Sequence, residues 1–215
     1  MEKHKVKVEK TGRYFTHGKR EPHVNTVLFV CHGYAQIANR FLKKFEPAFR
    51  DDLFIVAPEG LNRFYARESS GNVVASWMTS EEREDDIHDY LNYLDAVYRE
   101  VMPAFPKKVK VMVLGFSQGA ATASRWITHG RSRIDELVLW CGFFPPDVSL
   151  TEIPEHVKLK VVTASDDRYI TPEEEIEQLA QMRKLAPAME HFQFEGKHEI
   201  NIAALERLLG GEEGI

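Results

Sequence analysis

Residues 115–119 of this 215-residue chain read Gly-Phe-Ser-Gln-Gly, with a single serine, Ser117, between the two glycines. Apolar residues 109–114 come before this stretch, and small residues 120–123 follow it. That order predicts a strand, a sharp turn and a helix, which is the setting of a nucleophile elbow. The glycines would let strand and helix pass closely, so that the hydroxyl projects near the helix N-terminus, where amides favour negative charge. We interpret Ser117 as a candidate nucleophile.

The candidate base is a histidine near the end of the chain. A serine hydroxyl is a poor nucleophile unless a base accepts its proton, and on an elbow the acid and then the histidine follow the serine. His198 lies in a loop just after the last predicted strand, where its imidazole could reach the edge of the sheet. The other histidines after the serine are His129, His156 and His191, and His191 falls inside that strand. We expect His198 to be the base.

The candidate acids are two neighbouring aspartates, Asp166 and Asp167, which follow the preceding predicted strand. One of them must be buried enough to orient the histidine and to balance the imidazolium that forms. The other could cap the loop through a backbone amide. Spacing alone leaves both open.

The elements that must position these residues follow from the hydrophobic pattern. Continuous apolar runs are typical of strands covered on both faces, as in parallel sheets, and such runs occupy residues 25–31, 53–57, 109–114, 137–140 and 159–163. A more alternating run at 191–194 predicts a last strand. Helical spacing separates these runs, and Thr171-Pro172-Glu173-Glu174 has the order of a capping box that opens a helix. The alternation predicts an α/β fold with a mostly parallel, twisted sheet and helices on both faces.

The two ends of the chain show different patterns. Residues 6–8 and 13–15, joined across Thr11 and Gly12, predict an N-terminal antiparallel hairpin. Glycines at 210 and 211 end the last predicted helix, and the tail after them is expected to be loose. No repeat or linker divides the chain, and its length fits one α/β domain, so we predict a single domain over residues 1–215.

Composition limits the partners. The net charge of −5 argues against nucleic acid or an anionic membrane, because both need a basic face. The polar N-terminus lacks the apolar run of a signal peptide, and no stretch approaches the roughly 20 apolar residues of a membrane span. We therefore expect a cytoplasmic protein without stable membrane association.

Only two cysteines are present, Cys31 and Cys141, and each ends a predicted strand. The predicted sheet places the serine-bearing strand between them, at a separation of about 9.6 Å, which is beyond the reach of a disulfide. We expect both to be reduced core residues. They also lack the paired spacing of zinc ligands, and no H-E-x-x-H motif occurs, so no metal site is predicted.

This constellation resembles the α/β-hydrolase superfamily, in particular the phospholipase/carboxylesterase family that includes acyl-protein thioesterases. The resemblance extends from about Val24 to the final helix. It is carried by residues 30–33 (Val-Cys-His-Gly), 75–77 (Ala-Ser-Trp), 115–119, 165–170 (Ser-Asp-Asp-Arg-Tyr-Ile) and 196–200 (Gly-Lys-His-Glu-Ile). It implies an α/β-hydrolase fold. The connection from Cys141 to Leu159, where many lipases insert a lid, is short here, so no lid domain is expected.

The resemblance also assigns roles to single residues. The family's acid lies three residues before an aliphatic residue, and Asp167, with Ile170, fits that register. The family's oxyanion hole uses the amide after the serine, here that of Gln118, and the amide after the His-Gly pair, here that of Tyr34. His32 is then a structural residue of the turn and not the base.

Two segments depart from the family pattern, and both should line the substrate pocket. The chain has Tyr34-Ala35-Gln36 where the family usually has glycine and aspartate after His-Gly, and residues 58–65 differ from the usual proline-rich stretch. Substrate identity therefore does not follow from the resemblance. The candidate aromatic walls of the pocket are Phe64, Tyr65, Trp77, Phe143 and Phe144.

The implied activity is that of a serine hydrolase of the carboxylesterase or phospholipase type. It would cleave ester or thioester bonds of small or acyl-chain substrates through a Ser-His-Asp triad and an acyl-enzyme, with no metal or organic cofactor. The alternatives are a non-catalytic, hydrolase-like binding protein, and an acyltransferase or peptidase that uses the same triad. Whether the protein forms a homodimer is left open.

Overall fold

A computed structural model describes residues 1–67 and 70–210. The predicted loose tail, residues 211–215, lies outside this range. In the described residues the strands are β1 (Tyr14–His17), β2 (Thr26–Cys31), β3 (Leu53–Pro58), β4 (Asn62–Arg67), β5 (Ser70–Ser76), β6 (Lys110–Phe116), β7 (Glu136–Trp140), β8 (Lys158–Asp166) and β9 (Glu190–Lys197). The α-helices are α1 (Ala38–Leu42), α2 (Arg83–Val101), α3 (Gln118–His129), α4 (Pro172–Leu185) and α5 (Ile202–Leu209).

The main sheet has the strand order β1-β3-β2-β6-β7-β8-β9. All its neighbouring strands run parallel except β1, which pairs antiparallel with β3. Every residue of β2, β3 and β7 is buried, which is why these strands appear as unbroken apolar runs. The prediction of a mostly parallel sheet with the serine strand, β6, between the two cysteine strands is confirmed.

Helices cover both faces of this sheet, as predicted. One core cluster joins the sheet to α2, α3 and α4, with Tyr90, Trp126 and Leu179 among its buried residues. The other joins it to α1 and α5. The capping box that opens α4 is formed, because the Glu174 amide donates to Thr171 Oγ1 at 3.2 Å and the Thr171 amide donates to Glu174 Oε2 at 2.9 Å. No helix within the described residues has the length and apolarity that crossing a membrane requires.

The predicted pairing at the N-terminus is wrong. Residues 6–8 form no strand, and the Val6 and Val8 side chains are exposed. The lysines beside them, Lys3 and Lys5, instead form ion pairs with Glu82, just before α2. Two isolated valines have too little apolar surface to hold an edge strand, so β1 pairs with β3 alone. The antiparallel hairpin of the molecule is β4–β5, a separate two-stranded sheet.

The connection from β7 to β8 carries no inserted domain. Residues 141–157 are all described, and they contain only one short 3₁₀ turn, Leu150–Glu152. An ion pair holds this connection against α3: the guanidinium of Arg125 on α3 donates to both carboxylate oxygens of Asp147 in the connection, each at 2.8 Å. This connection therefore inserts no lid domain, as predicted.

Candidate active site

Ser117 occupies a strained turn between β6 and α3. Its backbone has φ 55° and ψ −119°, a conformation that residues other than glycine rarely adopt. The Ser117 amide donates to the Trp140 carbonyl on β7 at 2.9 Å. A Cβ atom on Gly115 would lie 2.2 Å from the Gly119 carbonyl oxygen, and one on Gly119 would lie 2.1 Å from that of Cys31. Both flanking positions thus need glycine, because backbone packs directly against them.

The candidate acid and base are hydrogen-bonded. His198 Nδ1 donates to Asp167 Oδ2 at 2.7 Å, and the two side chains are only 11% and 3% exposed. The other carboxylate oxygen, Oδ1, accepts the Tyr169 amide at 2.8 Å. Asp166 is exposed and lies opposite Lys197 in the β8–β9 register. The geometry therefore separates two aspartates that spacing left equivalent.

The imidazole of His198 lies between aromatic rings at the edge of the sheet. Its ring centroid is 4.9 Å from that of Phe116, the residue before the serine, and 4.6 Å from that of Tyr169. The next residue, Glu199, accepts a hydrogen bond from the Trp140 indole at 2.8 Å through its carbonyl. The base is thus held beside the elbow from two sides.

The candidate nucleophile and the candidate base are not hydrogen-bonded to each other. Within the part of the chain that the structure describes, no hydrogen bond joins Ser117 Oγ to His198. Catalytic hydrogen bonds are often long in an enzyme without substrate and tighten only in the complex. The structure thus shows the acid hydrogen-bonded to the base, and the base packed against Phe116, the residue before the serine.

Of the other three histidines after the serine, two have hydrogen-bonding partners close by. His191 lies in β9, as predicted, 3.0 Å from the Thr163 hydroxyl. His156 lies 3.1 Å from the Ile134 carbonyl oxygen, and His129 is the last residue of α3. No hydrogen bond of the described residues links any of them to Asp166, Asp167 or Ser117.

His32 shapes the turn that follows β2. It is fully buried; its Nδ1 donates to the Gly33 carbonyl at 2.8 Å, and its Nε2 accepts the Gly60 amide at 3.0 Å. Burial lowers the pKa of His32 to about 4, so the ring is neutral near pH 7. A neutral ring with both nitrogens engaged in backbone hydrogen bonds serves structure, in agreement with the sequence-based prediction.

Gln36 closes the same turn and belongs to the segment, residues 34–36, that departs from the family pattern. Its side-chain oxygen accepts the Gly33 amide at 3.0 Å, and its carbonyl accepts the Ala75 amide on β5 at 2.7 Å. Ala35, the residue before Gln36, has a backbone φ of 56°. The Tyr34 amide donates to no other group among the described residues. It is therefore free to serve as the predicted oxyanion donor.

Gln118 supplies a second free amide, and its side chain has a role that the sequence did not reveal. It is the first residue of α3, where an amide has no acceptor within the helix. Its side-chain oxygen accepts the Trp77 amide at 3.2 Å, and its Nε2 donates to the Met78 carbonyl at 2.9 Å. The Trp77 indole then donates to the His32 carbonyl at 2.8 Å. The turns that carry the two amides are thus connected through Trp77.

The candidate pocket walls need one correction. Trp77 is 1% exposed and supports the His32 turn from behind, so it does not line an open groove. Phe64 is half-buried, with its ring centroid 5.7 Å from that of Tyr34. Tyr65 is exposed, and as the next residue of β4 it points to the opposite face of the hairpin. Phe143 and Phe144 are partly buried against the core.

One cluster has the composition of a metal site. Cys141, Asp167 and His198 offer possible ligand atoms within 4.8 Å of one another, the only such group among the described residues. Burial, followed by the nearby Asp167 carboxylate, raises the pKa of the Cys141 thiol. Because a cysteine must lose its proton to bind a metal, the cluster fits an acid–base pair beside a protonated thiol better than it fits a metal centre.

The fold and the serine elbow define an α/β-hydrolase, the class that the sequence resembles. The model of the phospholipase/carboxylesterase family matches residues 12–208. The chain belongs to this family. It is a hydrolase of the esterase or thioesterase type. A comparison with curated proteins finds no significant sequence match.

Solved structures of similar fold have low sequence identity to this chain. Acyl-protein thioesterase 2 from Zea mays is 15% identical with a TM-score of 0.68, and the match covers 93% of this chain and 97% of that one. The carboxylesterase of Bacillus cereus is 13% identical with a TM-score of 0.63, covering 93% and 92%. A phospholipase/carboxylesterase from Dyadobacter fermentans is 14% identical with a TM-score of 0.63, covering 96% and 99%. At these identities the comparisons show the fold alone.

Proposed function

We propose that this protein hydrolyses carboxylic esters or thioesters of small or acyl-chain substrates through an acyl-enzyme on Ser117. The observation that carries the proposal is the part-buried hydrogen bond between His198 Nδ1 and Asp167 Oδ2, 2.7 Å long. It leaves Nε2 as the free nitrogen of an imidazole that lies against Phe116, next to the strained serine. An oriented base beside an elbow is the arrangement that activates a serine hydroxyl.

The acylation step uses four groups. His198 Nε2 accepts the hydroxyl proton as Ser117 Oγ attacks the carbonyl carbon, and the Asp167 carboxylate balances the imidazolium that forms. The Tyr34 and Gln118 amides donate hydrogen bonds to the oxyanion. When the tetrahedral intermediate collapses, His198 gives the proton to the departing alcohol or thiol. Removal of one oxyanion-hole donor typically costs about 3–4 kcal/mol of transition-state stabilisation.

Deacylation repeats these events with water. His198 takes a proton from the water that attacks the acyl carbonyl, and it returns that proton to Ser117 Oγ as the carboxylic acid leaves. The steps balance without a metal or an organic cofactor. Because the connection from β7 to β8 inserts no lid domain, we expect a groove open to solvent, with Phe64 and Tyr34 on one side.

Fluorophosphonate labelling followed by mass spectrometry tests the nucleophile. We expect one adduct on Ser117, none in Ser117→Ala, and a loss of kcat of about 10³-fold or more in that variant. Ser124→Ala is the matched control, because Ser124 lies on the same helix and donates to the Ala120 carbonyl. Retained turnover in Ser117→Ala, or no adduct on the native chain, contradicts the proposal.

A substrate panel tests the reaction. Turnover of p-nitrophenyl esters and acyl thioesters by water supports the proposal. Acyl transfer to an added alcohol in preference to water would instead indicate an acyltransferase, and cleavage of peptide amides a peptidase. An inert folded protein would indicate a binding role.

A further inference from the structure

Glu59 is a buried carboxylate for which the reaction described above has no use. It is 2% exposed and directly follows β3, whose carboxyl end lies at the same edge of the sheet as that of β2. It belongs to residues 58–65, one of the two segments that depart from the family pattern. Because a glutamate is almost never fully buried unless it is paired, its partners indicate what it does here.

Each oxygen of the Glu59 carboxylate has a partner in a different element. Arg13, the residue before β1, donates through Nε to Oε1 at 2.7 Å, and the Ala38 amide, the first of α1, donates to Oε2 at 3.2 Å. The Glu59 amide also donates to the Arg13 carbonyl at 3.1 Å. Arg13 therefore fixes Glu59 from one side, and the carboxylate holds the start of α1 on the other.

Gly60, the next residue, holds the opposite end of the turn that precedes α1. Its amide donates to His32 Nε2 at 3.0 Å. The turn of residues 32–38 is therefore contacted at both ends, by Gly60 at its first residue and by Glu59 at its last. Tyr34 lies between these contacts, and the residue after it has a φ of 56°, which residues other than glycine rarely adopt. Such a turn keeps its conformation only where surrounding contacts fix it.

We propose that Glu59 is a positioning residue, which holds the turn of residues 32–38 so that the Tyr34 amide points at the oxyanion. This inference rests on the proposed function. An oxyanion donor lowers the barrier only when it is preorganised where the negative charge develops. An ionised carboxylate suits this task, because the hydrogen bonds that it accepts are stronger than those of a neutral group.

Glu59→Gln tests the role of the carboxylate, since it removes the charge and keeps the volume. Its one side-chain oxygen can face Arg13 or the Ala38 amide, and its NH₂ group then meets a hydrogen-bond donor on the other side. We expect kcat to fall about tenfold with KM within about twofold of the native value, because the Tyr34 amide acts on the oxyanion and not on the bound substrate.

Amide hydrogen exchange, measured by NMR, reports on this turn without turnover. The Gly33 amide donates to the Gln36 side chain at 3.0 Å, and the Gln36 amide donates to the Gly33 carbonyl at 3.3 Å. No hydrogen bond of the described residues joins Glu59 to either amide. We expect both amides to exchange about fivefold faster in Glu59→Gln, because loss of the contact with Ala38 loosens the whole turn.

The matched control is Glu136→Gln. Glu136 is 1% exposed and forms ion pairs with Lys110 at 2.5 Å and Lys160 at 3.3 Å. It is the first residue of β7, at the end of the sheet opposite to the candidate site. The same atoms are exchanged in a similarly buried ion pair. We therefore expect a lower melting temperature, with kcat and the exchange of the two amides within about twofold of the native values.

A second variant, Arg13→Gln, approaches Glu59 from the surface and covers the case in which Glu59→Gln does not fold. The Arg13 side chain is 44% exposed, so its replacement disturbs the core less. It removes the charged donor to Oε1 and leaves the carboxylate less firmly held. We expect the same two effects at about threefold.

The experiment combines this exchange measurement with steady-state kinetics on one p-nitrophenyl ester. A lower kcat at unchanged KM, together with faster exchange of the two amides, supports the inference when Glu136→Gln shows neither effect. Unchanged exchange, unchanged kcat, a loss that lies in KM, or equal effects in Glu136→Gln overturn it. Because exchange needs no turnover, failure of this inference is distinguishable from failure of the proposed function, which fluorophosphonate labelling of Ser117 reports.

Discussion

At the scale of single residues, Asp166 and Asp167 show what one position in the chain decides. Asp166 is the last residue of β8 and Asp167 is the first residue after it, and both carry the same carboxylate. Asp167 turns inward to His198 and also accepts the Tyr169 amide, whereas Asp166 stays exposed at the strand end. Strand spacing could not separate them, because a one-residue difference in the loop reverses which side chain faces inward. The register of the family that the sequence resembles selects Asp167, and Asp167 is the aspartate that His198 is hydrogen-bonded to.

Exchange of each aspartate for asparagine tests this distinction. Asp167→Asn should lower kcat by about 10³- to 10⁴-fold, because an amide neither balances the imidazolium nor holds the correct tautomer. Asp166→Asn, the matched control, should change kcat less than about threefold. The measurement is kcat for a p-nitrophenyl ester. If Asp166→Asn proves the more damaging change, the role of acid moves to Asp166.

At the scale of elements, the predictions succeeded where burial and local chemistry agreed. The fully buried strands and the capped start of α4 were predicted because their patterns arise from the same contacts that hold them. The strand predicted at residues 6–8 does not form, because Val6 and Val8 have no apolar surface to pack against and are exposed. The hairpin β4–β5 was missed, since its alternation is weak and most of its described residues are exposed.

The hydrogen bonds that connect the two turns through Trp77 could not be predicted from the sequence either. It depends on a side-chain amide of α3 meeting the backbone after β5, and on an indole meeting the turn after β2. Such contacts depend on three distant elements docking together, and no local pattern encodes them. From the sequence, Trp77 is therefore predicted to line the pocket. In the structure it is buried and supports the turn that contains His32.

This support should affect catalysis more than binding. Trp77→Phe removes the donor to the His32 carbonyl and keeps most of the ring, so the turn that carries the Tyr34 amide loosens. We expect kcat to fall by about tenfold with KM nearly unchanged, because the amide acts on the oxyanion and not on the bound substrate. Steady-state kinetics on one ester measures both constants.

The control for this prediction is Trp126→Phe. The Trp126 indole is as fully buried and donates to Asp95 Oδ1 on α2 at 2.9 Å, away from the elbow. This variant should lose stability and keep its kcat. Equal losses of kcat in both variants would mean that tryptophan packing in general, and not the contact with His32, supports turnover.

At the scale of the whole molecule, the sheet brings together residues that are far apart in the chain. The serine follows β6, the acid follows β8, the base follows β9, and the turn with the Tyr34 amide follows β2. All four strands are parallel, so their carboxyl ends meet at one edge, where ligands bind in such sheets. The packing that brings these residues to one edge also buries His32. We therefore expect the free energy of unfolding to decrease at acidic pH.

The sign of this effect follows from proton binding. The pKa of His32 is near 6.5 when the ring is exposed and about 4 in the folded protein, because burial disfavours the charged ring. Between these values the unfolded chain binds a proton that the folded chain does not, so stability rises with pH. The contribution of His32 is complete above pH 6.5 and is lost as the pH falls towards 4. Its size is about 3 kcal/mol.

Urea unfolding at pH values from 4 to 7 measures this contribution. His32→Gln places a non-titrating acceptor near the Gly60 amide, so its free energy of unfolding should depend less on pH than that of the native chain, whatever its absolute value. His191→Gln is the control, because His191 is only half-buried, has a lowered pKa as well, and should remove a smaller part of the slope. A native His32 ring that NMR finds protonated at pH 6 would contradict the argument, since a charged ring could not accept the Gly60 amide through Nε2.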